Sequence, residues 1–261
     1  MGIFRIALLI GACCVTTFAR AEAPRVLLIG DSQSVGTFGR RLPGVLMKQG
    51  RAQVAVVARC GATPAHFFEE GYSNCGFYER SRNGVTLGPG TGHRPVERLV
   101  RLLDRERPDV LIVQLGGNSV PLSQSHWERH VRLVMDALRE RERIQCLWVG
   151  PPPGWGRDPE RFKSYYDFMS QHLGTRCRFF DSRPGIQYPE QTGDGIHLDR
   201  ISSTDLHRKY GCALDGSDAR TRPECLSGAQ RAAKWAERVA TWYFQSAPSL
   251  SLTASAAAEM H

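Results

Sequence analysis

Lysine is scarce in this chain: only positions 48, 163, 209 and 234 carry it among 34 basic residues, so arginine supplies the positive charge. That charge is scattered, and nowhere do basic and aromatic residues interleave as they would along a nucleic-acid groove, which excludes nucleic acid as the expected partner. Long apolar runs are also missing. No stretch after the N-terminus approaches the roughly 20 residues needed to cross a bilayer, so a multi-span membrane protein is excluded. There is no CxxC pair and no clustered Cys/His spacing, which leaves no zinc signature. No internal repeat is visible. With 41% hydrophobic and 23% charged residues, the composition excludes a collagen-like or largely disordered chain.

What is present starts with the first 21 residues, which read as an export signal. Arg5 gives a short positive region, Ile6 to Val15 an apolar one, and Ala19-Arg20-Ala21 a small-x-small cleavage site. Ile10-Gly11-Ala12-Cys13 faintly resembles a lipoprotein box, so lipidation at Cys13 and a retained anchor are the alternatives. Each takes the chain out of the cytoplasm, to the periplasm or beyond. Removing Arg5 and Arg20 with the signal lowers the net charge from +8 to +6. A basic exported protein could be drawn to anionic cell-wall polymers or membrane surfaces, but the scattered charge and arginine bias favour the plainer reading, that the charge reflects genome composition.

Cysteine usage agrees with export. Six cysteines remain after the signal, and an even set in an exported chain argues for disulfides. Sequence neighbours suggest the pairs Cys60–Cys75, Cys146–Cys177 and Cys212–Cys225. Cys146 and Cys177 each stand near the start of consecutive expected strands, so neighbouring strands would bring them together at the sheet end away from any site. A bridge closing a loop of about 15 residues stabilises by about 3 kcal/mol.

Five short apolar runs set the fold class: Arg25–Gly30, Gln53–Ala58, Asp109–Leu115, Gln145–Gly150 and the weaker Arg176–Asp181. Continuous rather than alternating hydrophobicity marks strands buried on both faces. Helical spacing links them, with Val96, Leu99, Val100 and Leu103, then Trp127, Val131, Val134 and Leu138, and finally Trp235, Val239 and Trp242. Strand and helix in alternation predict one α/β domain over 22–245, a five-stranded, mainly parallel sheet layered between helices. Two long segments, 59–93 and 198–225, break the alternation and read as disulfide-stapled insertions. The Ala/Ser-rich 246–261 reads as a disordered tail.

In open α/β sheets, sites form beyond the carboxyl ends of the strands. Gly30-Asp31-Ser32 follows the first strand, Cys60-Gly61-Ala62-Thr63 the second, and Gly116-Gly117-Asn118 the third. Asp194-Gly195-Ile196-His197 follows the fifth. A hydroxyl, a small backbone donor, an amide and an acid–histidine pair therefore converge on one edge.

These four blocks, in order, resemble those of the SGNH (GDSL) hydrolase family. The resemblance runs over roughly 25–197 and resumes near Leu226-Ser227-Gly228. It implies a flavodoxin-like three-layer fold and ester hydrolysis through an acyl-enzyme, with no metal or cofactor. It casts Ser32 as nucleophile, His197 as base and Asp194 as the orienting acid, with Asp199 the rival acid. Ser32 N–H, Gly61 N–H and the Asn118 amide would form the oxyanion hole. One departure stands out: Ser119 takes the place of the aspartate in the family's G-x-N-D block, where a carboxylate supports the loop. The chemistry is coherent, because a serine hydroxyl is a weak nucleophile until a near-neutral base removes its proton.

The remaining polar groups have blander expectations. Asp31 reads as a turn-stabilising residue, and His126, His130, His172 and His207 as surface groups. His66, His93 and Trp155 are possible substrate contacts, the last by stacking on a sugar ring. The expected substrate is an O-acetylated cell-envelope or environmental polysaccharide, peptidoglycan included, or a small ester. A lipase, lysophospholipase or thioesterase, an acyltransferase, and a non-catalytic glycan-binding protein are the alternatives, because fold alone does not fix function. A monomer is the default.

Overall fold

In the computed structural model, residues 22–48, 52–69, 71–73 and 75–246 are described. The proposed signal segment, Cys13 and nearly all of the proposed tail therefore lie outside the described residues. β1 (Arg25–Gly30) leads through α1 (Ser32–Val35) and α2 (Thr37–Lys48) to β2 (Gln53–Arg59). The segment after β2 contains β3 (Tyr72–Ser73), β4 (Phe77–Arg80), β5 (Thr86–Gly90) and β6 (Arg94–Pro95) before α3 (Leu99–Glu106). Then come β7 (Val110–Gln114), α4 (Gln124–Leu138), β8 (Gln145–Val149), α5 (Pro159–His172) and β9 (Cys177–Phe180). Helices α6 (Ser203–Tyr210) and α7 (Gly228–Ser246) end the described chain.

The sheet has seven strands, in the order β5-β4-β2-β1-β7-β8-β9, and not the expected five. The five apolar runs form its parallel part, β2-β1-β7-β8-β9, paired in register from Arg25↔Gln53 across to Val149↔Phe180. The two additional strands come from the 59–93 segment, where β4 and β5 pair antiparallel along the β2 edge. Thr86–Gly90 concealed its strand because Gly, Pro and exposed positions suit an unburied edge, where a ladder needs no apolar face. β3 and β6 pair separately.

Period-two alternation splits each central strand between two cores. Leu27, Ile29, Ala55, Val57, Leu111 and Val113 face the layer of α3, α4 and α5. Val26, Leu28, Val54, Val56, Val110 and Ile112 face α2, α6 and α7. Full burial of each such side chain contributes about 1.5–3 kcal/mol, which pins the register, since a one-residue slip would exchange the two faces. Val96 precedes α3, so that helix begins three residues later than the apolar spacing suggested.

Disulfides join Cys60 to Cys75, Cys146 to Cys177 and Cys212 to Cys225. Cys146 and Cys177 are register partners at the amino ends of β8 and β9, opposite the edge where the polar blocks gather. No helix among the described residues is long and apolar enough to cross a membrane.

Candidate active site

The turn leaving β1 is held by Asp31, which is wholly buried. One carboxylate oxygen caps α1 by accepting the Gln33 N–H at 3.0 Å. The other accepts the Gly117 N–H at 3.0 Å, tying this turn to the one after β7. Burial pushes the Asp31 carboxyl above its usual range, opposed by those two N–H groups and by the Arg157 guanidinium. The reading of Asp31 as a turn residue thus understates it, because it joins two of the four blocks.

Ser32 opens α1, and its Oγ lies 2.8 Å from His197 Nε2. His197 Nδ1 lies 2.7 Å from Asp194 Oδ2. Asp194 is fixed in turn, since its Oδ1 accepts the backbone N–H groups of His197 at 2.7 Å and Ile196 at 2.9 Å. Burial raises the Asp194 carboxyl, but the His197 backbone N–H, the His197 ring and the Ile196 N–H outweigh it and hold the group below its usual range. Asp194 is therefore a charged acceptor at neutral pH, suited to keep Nδ1 protonated and Nε2 free to accept. Asp199, the alternative acid, turns away and accepts the Thr37 N–H at 2.6 Å.

The second and third blocks meet beside this row. Gly61 adopts φ +80°, a left-handed conformation strained for any residue with a Cβ, and the preceding Cys60 is anchored by its disulfide. Asn118 Nδ2 donates to Ala62 O at 3.0 Å, which fixes which way the amide faces and leaves its second N–H uncommitted by that bond. Ser119 Oγ lies 3.2 Å from Leu115 O and 3.1 Å from His130 Nδ1. His130 is buried, contrary to the expectation of a surface group, and burial pulls its pKa from 6.5 to about 4. A neutral imidazole thus stands behind Ser119, and Trp127 Nε1 donates to Ser119 O at 2.7 Å.

Several supporting residues carry no motif in the sequence. Gln33 Nε2 donates to Ile196 O at 2.8 Å, linking the Ser32 turn to the His197 loop. The Tyr188 hydroxyl lies 3.3 Å from Asp194 Oδ1 and 3.1 Å from His197 O, and accepts the Gly195 N–H at 3.0 Å. Burial, then the Asp194 charge, pushes the Tyr188 phenol up, so it remains a donor. Arg157 Nη1 donates to Gly117 O at 2.9 Å.

Of the possible substrate contacts, Trp155 is 45% exposed, and its indole N–H donates to Thr192 O at 2.8 Å. Its loop packs on the acid–histidine loop so closely that a Cβ on Gly195 would lie 2.5 Å from Gly156 N. His66 is turned inward, with Nδ1 3.1 Å from Thr63 N and 3.0 Å from Thr63 Oγ1. His93 is exposed between β5 and β6. Among the described residues no group of three or more His, Cys, Asp or Glu side chains is arranged to hold a metal ion.

No family model matches the chain. It is 23% identical over 199 residues to an arylesterase from Vibrio mimicus, a match covering 70% of this chain and 84% of that one. A DUF4886 family protein from Bacteroides uniformis superposes with a TM-score of 0.50 at 12% identity, over 81% of this chain and 93% of its own. A family 3 carbohydrate esterase from Clostridium thermocellum superposes with a TM-score of 0.45 at 15% identity, over 82% and 93% of the two chains. The four motif blocks stand in order at the strand ends of this α/β sheet, as in the SGNH (GDSL) hydrolases that the sequence resembles, and the arylesterase is similar to the chain along most of its length.

Proposed function

We propose that the protein is an exported serine esterase that removes short acyl groups, O-acetyl above all, from a polysaccharide. The observation that carries this reading is the continuous row Ser32 Oγ, His197 Nε2, His197 Nδ1, Asp194 Oδ2, with steps of 2.8 and 2.7 Å. Ser32 Oγ attacks the ester carbonyl carbon while His197 Nε2 takes its proton. The resulting oxyanion is met by the backbone N–H groups of Ser32 and Gly61 and by Asn118 Nδ2. Collapse of that intermediate breaks the C–O bond, and the departing alcohol leaves with the proton held on His197. Water then attacks the acyl-serine, giving a proton to His197, which returns one to Ser32 Oγ as the free acid departs. Asp194 stays ionised and stabilises each imidazolium.

Water as acceptor is favoured over a sugar hydroxyl because the His197 and Asp194 side chains keep 32% and 40% of their surface exposed, whereas a transferase must exclude water. A polysaccharide substrate is supported by the exposed Trp155 indole beside the acid–histidine loop, a face on which a sugar ring can lie. Export rests on the N-terminal segment together with three disulfides, which persist in oxidising compartments.

The test is a series of p-nitrophenyl esters of rising chain length, beside acetate release from acetylated xylan and O-acetylated peptidoglycan. Turnover falling from acetate to octanoate, with acetate freed from one of the polymers, is the expected result. Turnover rising with chain length and no acetate from any polymer would assign the site to lipid esters instead.

A further inference from the structure

A cavity of about 750 Å³ away from the Ser32 row is a groove between the β4–β5 hairpin and α3, floored by Ala55 and Val57 of β2. Six arginines and three glutamates line it. The glutamates are already engaged. Glu79 pairs with both Arg59 and Arg94, Arg105 pairs with both Glu97 and Glu106, and Arg82 lies 3.2 Å from Glu106. That leaves the groove with an excess of positive charge. On the opposite wall Arg80 has its Nε buried without a hydrogen-bond partner. Arg98 and Arg101, at the N-cap and first turn of α3, are exposed, and their guanidiniums have no ion-pair or hydrogen-bond partner among the described residues.

The groove has a direction. α3 runs back along the sheet, so Arg98 lies toward the carboxyl end of β2 and Arg105 toward its amino end. Arg59 ends β2 immediately before Cys60 and Gly61, and β2 is the register neighbour of β1, which delivers Ser32. An extended chain lying between the hairpin and α3 therefore leads to the edge that carries the Ser32–His197 row.

We propose that this groove binds the anionic part of the substrate, a stretch of carboxylate-bearing sugar residues in an acylated acidic polysaccharide. The inference rests on the esterase reading for what lies at the groove's end, and on the groove alone for charge. Guanidinium forks match carboxylates in geometry, and Arg98 and Arg101, one helical turn apart, present two such forks in a row. The ring of Phe77 is occupied by the Arg59 and Arg94 guanidiniums at 5.9 and 5.2 Å from its centroid, so the groove offers no free aromatic face for bases to stack on. Concave walls of this kind suit a strand of polymer better than a flat membrane.

The test uses the disulfide-intact chain from Glu22 onward, carrying Ser32→Ala so that the polymer is not altered. It is run by affinity electrophoresis through polygalacturonate, through neutral hydroxyethylcellulose, and against phosphatidylglycerol vesicles. The expected result is retardation by polygalacturonate alone, weakened about ten-fold or more in Arg98→Gln/Arg101→Gln, since both uncommitted guanidinium forks are lost. Arg139→Gln/Arg143→Gln removes the same charge elsewhere and is expected to leave retardation intact. Equal loss in both double variants would assign the effect to overall charge and overturn the proposal. Binding to vesicles without retardation by polygalacturonate would overturn it in favour of a membrane surface. In the Ser32-containing chain, p-nitrophenyl acetate turnover reports separately on the esterase reading, so its failure is distinguished from a failure of the groove to bind polygalacturonate.

Discussion

The Asp31 carboxylate accepts the Gly117 N–H at 3.0 Å, and by that bond the turn that carries Ser32 and the turn that carries Asn118 become one rigid unit. An unsatisfied buried donor costs about 1–3 kcal/mol, and Asp31→Ala strands two, at Gln33 and Gly117. The expected outcome is a loss of about 2–5 kcal/mol in urea unfolding and a lower kcat with KM little changed. Asp31→Asn keeps one acceptor and should fall between the two.

Asn118→Ala removes the side-chain donor proposed to meet the oxyanion while leaving the Ser32–His197 pair alone. A loss of about 10²–10³ in kcat is expected, with KM near the parent value. Steady-state kinetics on p-nitrophenyl acetate checks it. A drop confined to KM would place Asn118 in ground-state binding.

Stability should fall with acid through His130. Its folded pKa, lowered to about 4, lies below the usual 6.5, so the unfolded chain binds the extra proton between those values. Stability is therefore greater above pH 6.5 and declines as pH falls toward 4, by the linkage of proton binding to unfolding. Urea melts of the parent and His130→Gln from pH 7 to 4 measure it, and the variant should show a shallower decline. Asp194 acts over a lower range, because its depressed pKa contributes stability that is lost as pH falls through its folded value.

Cys60→Ser/Cys75→Ser opens a 15-residue loop and should cost about 3 kcal/mol. Because Cys60 directly precedes Gly61, activity should fall more than in Cys212→Ser/Cys225→Ser, which opens a loop of similar length away from Gly61. Thermal melts and p-nitrophenyl acetate kinetics on both pairs separate the two effects.

The parallel strands were legible because burial on both faces leaves an uninterrupted apolar run, as in Val26 to Ile29. Ser32, Gly61, Asn118 and His197 were legible because strand ends in this architecture converge. Edge strands carry no such pressure, so Thr86–Gly90 read as loop. His130 left a signal that was passed over: it falls three residues after Trp127 and four before Val134, on the buried face of α4. Tyr188 and Arg157 lie in irregular links, where no periodicity ties a side chain to its partner, and only the fold brings them to Asp194 and Gly117.

The most direct measurement is p-nitrophenyl acetate hydrolysis by the disulfide-intact chain from Glu22 onward beside Ser32→Ala, with matched melting curves to show that both are folded. Rapid turnover that falls by about 10⁴ or more in the variant is the predicted result, since loss of the nucleophile leaves only oxyanion stabilisation and binding. Turnover unchanged in a folded Ser32→Ala protein would contradict the assignment of Ser32 as the nucleophile.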